Sequence, residues 1–429
     1  MTSLAVLLLA VLPQDQEPRA APVWHSVRLD NGVHLNVIEV VDAPKVSIFS
    51  FLPIGLGGDP AGRAQFSHLA EHMLIRSTDP KRLRIGKMEL NGETTNQVMR
   101  LESFVPAGQW REAVSRHPRW LCAREFDADV LAREKVRIAS EEHATVPQGF
   151  NHKWATAAWA QILGGRGHAA VHGDVAKATI EQVQEYVASQ VRLSKAQVFV
   201  IGPSPAKEVV ALLRKGFAAL KVADPKTDHP GSPPPIAAAK PGHREVTWDL
   251  AADHYLEWYA LPKDTTAAQA EVMAQFLTMA CFQSPTFAEI PGRAVAGAVI
   301  RDGQWFVLFS CNLPATTKLA ELQDATRSAI ELTPRLAKAQ VRGSMFADRF
   351  ARLPDFVAQR QEVANPRIRG LVEAHFAMQC GYASTRLGVP IAEVPATYRA
   401  LDGARIATLL TKSCGADSRH SARISRRSR

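Results

Sequence analysis

The stretch DPKTDHPGSPPPIAAAKPGH, residues 224–243, constrains this 429-residue chain more than any other. Proline fixes φ and lacks an amide donor, so a segment this rich in it suits neither a helix nor a sheet interior. It reads as a semi-extended linker, placed at 226–243. On each side of it the hydrophobic pattern gives strands and then a helix. Before it, VRLDNGVHLNVIEV (27–40) alternates about an Asn-Gly turn, KVSIFSFLPIG (45–55) is a second strand, and a helix follows over SHLAEHMLIRST (67–78). After it, REVTWDLAADHYLEWYALP leads into the helical AAQAEVMAQFLTMACF. The repeat lies in element order, not in residue identity. The expectation is an α+β protein of two similar domains, 23–225 and 244–412, each a mostly antiparallel sheet flanked by helices.

The ends differ from the body. Leu4 to Leu12 is a short apolar run, too short to span a bilayer, and residues 1–22 read as an export signal or a disordered leader. That reading predicts a periplasmic or secreted protein. Residues 413–429 read as a frayed basic tail, because SRHSARISRRSR holds five arginines and no acid. No other run approaches a membrane span, and nothing else resembles a nucleic-acid module, so neither a bilayer nor nucleic acid is an expected partner. Five cysteines without a CxxC pair argue against a disulfide framework and against a thiolate zinc site.

The helix at 67–78 carries the chemistry. His68 and His72 are four apart and share a helix face, so both imidazoles can reach one metal ion. Glu71 sits about a hundred degrees round the helix, placed to meet a metal-bound water without ligating. Zinc takes nitrogen and oxygen donors tetrahedrally and leaves one position to water in catalytic sites. The metal acidifies that water, and a carboxylate takes its proton as it attacks a carbonyl. A third protein ligand is needed. Glu134 and Glu141, seven apart on one face of the helix DVLAREKVRIASEEH (129–143), are both candidates.

FSHLAEHMLIRST closely resembles the active-site helix of the pitrilysin or insulinase-type metallopeptidases, the inverzincins, which include mitochondrial processing peptidase. AREKVRIASEEH resembles that family's glutamate-bearing helix. The resemblance implies one Zn2+ per chain held by His68, His72 and Glu141, with Glu71 as general base and Glu134 as the outer supporting glutamate. It implies a peptide substrate that adds a strand to a sheet edge. It also implies pairing into a chamber, as a homodimer or as a heterodimer with a related subunit. The segment NGETTNQVMRLESF echoes the family's substrate-strand motif, with Asn96 as the matching asparagine. In EIPGRAVAGAVIRDG, Arg293 matches a substrate-gripping arginine, but Gly297 stands where the family often has a tyrosine. This departure predicts the zinc-bearing half of a dimer whose partner carries the Arg-Tyr pair. The competing expectation is a non-catalytic structural or interaction subunit of the same fold.

Overall fold

Strands with apolar residues on both faces need cover on both sides, and this requirement organises the molecule. The computed structural model describes residues 23–60, 62–76, 89–145, 155, 158, 159, 162, 171–220, 224, 241–248, 253–288, 294–301, 303–313, 318–340 and 369–426. Residues 1–22, most of the proline-rich segment and Arg293 lie outside them. The first sheet contains β1 (Val23–Arg28), β2 (His34–Glu39), β3 (Lys45–Leu52), β4 (Glu89–Thr94), β5 (Met99–Pro106) and β6 (Gln197–Gly202), in the order β1-β2-β6-β3-β5-β4. The second contains β7 (Gly242–Trp248), β8 (Asp253–Ala260), β9 (Ala294–Arg301), β10 (Gln304–Leu313) and β11 (His420–Arg426), in the order β7-β11-β8-β10-β9. Neighbours run antiparallel except β2–β6 and β7–β11.

The two strand orders correspond, with β1 added at one edge of the first sheet. In each half the last strand returns between the first two of the shared set, parallel to one and antiparallel to the other. This corrects the reading of the C-terminus. Residues 420–426 are not a frayed tail but β11, an interior strand of the second sheet. Ala422 and Ile424 are buried, and the Arg423 guanidinium pairs with Asp253 at 3.1 Å. Arginine content hid a period-two strand pattern.

The helices are α1 (Phe66–Arg76), α2 (Trp110–Cys122), α3 (Ala128–Thr145), α4 (Val171–Lys177), α5 (Ile180–Gln190) and α6 (Ala206–Leu220), then α7 (Ala267–Gln283), α8 (Pro285–Ala288), α9 (Leu319–Gln340), α10 (Arg369–Leu387), α11 (Val394–Arg399) and α12 (Gly403–Ser413). None of the described helices is long and apolar enough to cross a membrane. On one face of the first sheet, Val46, Ile48, Val198 and Val200 pack with residues of α1, α2, α5 and α6. The other face presents Phe49, Phe51, Phe199 and Ile201, which α10 covers with Ala374, Phe376, Ala377 and Cys380. Contact there is close enough to require glycine: a Cβ on Gly381 would lie 2.2 Å from the Phe51 ring.

The exchange is reciprocal. Helical residues Ala155, Ala158, Trp159 and Ile162, spaced as one helix face, pack on Leu256, Trp258, Phe306 and Leu308 of the second sheet. Each half therefore supplies cover for the other half's sheet, which ties the stability of the two together.

Candidate active site

Helix α1 is fixed at its N-terminus from outside. The buried Asp59 carboxylate accepts from the Ser67 amide and hydroxyl, both at 3.0 Å, and from the Tyr186 hydroxyl at 2.8 Å. It thus satisfies a helix amide, that of Ser67, that would otherwise be unpaired. Burial pushes the Asp59 carboxyl up to about 7, against the hydrogen bonds from Tyr186, Ser67 and the Gln65 amide. Helix α3, which faces α1, is capped by Asp127, whose Oδ1 accepts from the amides of Asp129 (2.8 Å) and Val130 (2.9 Å).

Three side chains from these two helices converge. His68 Nε2 lies 3.4 Å from Glu141 Oε2, and His72 Nε2 lies 3.7 Å from the same oxygen. Two donors on a tetrahedral zinc with bonds of about 2.0–2.1 Å would stand about 3.4 Å apart. The donor set and its spacing therefore fit zinc. Among the described residues His68, His72 and Glu141 form the one such cluster. Both histidines are buried, whereas the Glu141 side chain is 43% exposed, which leaves the cluster open to solvent on that side.

Glu134 does not join the cluster. Its Oε2 accepts from His72 Nδ1 at 2.8 Å and also meets Arg76 Nε at 3.3 Å and Arg137 Nε at 3.4 Å. Two guanidinium groups thus flank this buried carboxylate. With Nδ1–H donated to Glu134, the His72 tautomer leaves its Nε2 lone pair toward Glu141. Glu134→Ala is expected to lower zinc affinity by about 10–100-fold, measured by competition with a chromogenic chelator.

Glu71 is 5% exposed, and its Oε2 accepts from Thr94 Oγ1 at 2.6 Å. Its other oxygen faces Gly92 of edge strand β4, where a Cβ would lie only 2.6 Å from Oε1. The glycine is needed for this close approach. Gly92→Ala should displace the Glu71 carboxylate and break its hydrogen bond from Thr94 Oγ1, visible in a crystal structure of the variant, while thermal unfolding stays near wild type.

No family model matches the sequence, and neither does any curated protein. Solved structures do match. A protease from Helicobacter pylori superposes with a TM-score of 0.65 at 13% identity, over 95% of this chain and 100% of that one. Pitrilysin superposes with a TM-score of 0.59 at 13% identity, over 97% of this chain and 46% of its own length. The chain has the pitrilysin-type peptidase fold. It spans about half the length of pitrilysin itself. A peptidase M16 inactive domain from Pseudomonas fluorescens shares the fold too, with a TM-score of 0.61 at 14% identity, over 94% of this chain and 97% of that one. At such identities the likeness is one of fold, and the site residues must carry any chemistry.

Of the remaining sequence candidates, Arg293 lies outside the described residues and Asn96 stands apart from the three converging side chains. Asn96 sits in the β4–β5 turn, where its carbonyl accepts from the Gly57 amide at 2.9 Å. It lines a cavity of about 620 Å³ between the halves, together with Thr94, Gly297 and Trp305. A tyrosine and an arginine do reach that cavity, Tyr382 and Arg386 of α10, but both are engaged. The Tyr382 hydroxyl donates to Glu93 at 2.6 Å, and Arg386 pairs with Glu271 at 2.6 Å. Sequence reasoning missed Thr94 and Gly92. They sit beside Glu71 only because β4 folds across α1, and nothing in their local pattern signals that contact.

Proposed function

We propose that this chain is a zinc-dependent endopeptidase acting on peptides or unfolded segments. The carrying observation is the convergence of His68 Nε2, His72 Nε2 and Glu141 Oε2 at spacings suited to tetrahedral zinc. Zinc, when bound there, supplies a Lewis acid that polarises the scissile carbonyl and acidifies the attacking water. Glu71, oriented by Thr94, takes a proton from that water and passes it to the leaving amine. Among the described residues no strand pairs with the outer edge of β4, and this edge gives an extended peptide a strand to pair with, beside Glu71.

The chain acts as the zinc-bearing member of a dimer, either with a second copy or with a related subunit carrying an Arg-Tyr pair. Segment 1–22 directs export. The competing reading, a non-catalytic subunit, draws on the inactive Pseudomonas fluorescens domain of the same fold. Against it stands the joint presence of His68, Glu71, His72, Glu134 and Glu141, since a scaffold has no use for a buried histidine pair aimed at a carboxylate. The test is zinc content and cleavage of a quenched peptide library by the purified chain, before and after chelation. Stoichiometric zinc with chelator-sensitive cleavage supports the proposal; a chain that takes up no zinc overturns it.

A further inference from the structure

Gln65 immediately precedes α1 and is the one non-glycine residue with positive φ among the described residues, at 65°. Side chains with a Cβ are disfavoured there, whereas glycine adopts the region freely. The residue is wholly buried, and its carbonyl accepts from the Leu69 amide at 2.9 Å. Its side chain caps no helix amide. It turns instead to His68, placing Oε1 3.1 Å from Nδ1. Among the described residues its Nε2 has no hydrogen-bond partner. A strained backbone and an unsatisfied buried amide persist only where the surroundings over-determine them, and such positions cluster at functional sites.

We infer that Gln65 is a positioning residue for His68. Its amide oxygen accepts the Nδ1 proton, which holds His68 in the tautomer whose Nε2 lone pair points at Glu141. Glu134 makes the matching contact to His72. The two histidines are thus fixed by different acceptors, one a neutral amide on the chain just before α1 and one a carboxylate on α3. The inference rests on the zinc reading, in which His68 Nε2 is a metal donor.

The test measures zinc affinity of the full-length chain by chelator competition, with zinc alone as the probe. Wild type is compared with Gln65→Gly, Gln65→Leu and Gln65→Glu, and the thermal unfolding of each metal-free protein is recorded alongside. Gln65→Gly should raise the unfolding temperature, because it removes the positive-φ strain, yet bind zinc about 10–100-fold more weakly. A merely structural residue would not give these opposite signs. Gln65→Leu should lose zinc affinity to the same degree, and Gln65→Glu, which keeps an acceptor, should retain it. Glycine and leucine variants that bind zinc as tightly as wild type would overturn the inference. A wild-type chain that takes up no zinc would overturn the zinc reading beneath it, and the two failures are told apart by which protein shows them.

Discussion

Glu71→Gln should slow peptide cleavage by about 10²–10⁴-fold while leaving zinc bound as tightly as in wild type. The amide matches the carboxylate in shape and still offers an oxygen to Thr94 Oγ1, so the local packing is kept. Only the capacity to take a proton is lost. None of the three converging donors is replaced, because Glu71 is not among them. Cleavage of a quenched peptide library, run beside a zinc titration, separates rate from metal binding. A variant as fast as wild type would remove Glu71 from the mechanism. If neither protein cleaves, even when a related subunit carrying an Arg-Tyr pair is supplied, the non-catalytic reading gains the ground.

The proposed ligands were legible because helical spacing alone brings His68 and His72 to one face and sets Glu134 and Glu141 two turns apart. Local rules reach that far and no further. Spacing could not choose between Glu134 and Glu141 as the third donor beside the two histidine Nε2 atoms. The choice depends on how α3 lies against α1, and the family resemblance supplied an expectation that periodicity did not. Gly92 and Thr94 are twenty or more residues from Glu71, and their contacts come from strand pairing. Gln65 carries a backbone conformation that its identity argues against, so sequence reasoning would never select it. The fold divides the same way. Alternation and element order disclosed two halves of like construction. They could not disclose that α10 covers the first half's sheet or that Trp159 covers the second's, because an apolar helix face does not name the surface it meets.

Ending the chain at Arg419 should abolish cooperative folding of the second half, although the lost residues read in sequence as part of a frayed basic tail. β11 lies between β7 and β8, so its removal breaks two ladders at once and leaves β7 without a paired strand among the described residues. Buried backbone groups left unpaired cost about 1–3 kcal/mol each, and several of them exceed a typical domain stability of about 5–15 kcal/mol. The damage should spread to the candidate site. Trp159, from the first half, would lose the Phe306 and Trp258 surface it packs on, and α10, which covers Phe51 and Phe199, would lose its own half. The expected result is loss of the sigmoidal denaturant transition by circular dichroism, together with loss of zinc binding. Two point variants separate strand burial from charge. Ile424→Ala should cost about 2–5 kcal/mol, as expected for a buried isoleucine. Arg423→Ala should cost less, because the pair it forms with Asp253 retains some solvent exposure. A truncated chain that unfolds with wild-type cooperativity would mean that β11 is not part of the folded core, and the correspondence between the two sheets would fall with it.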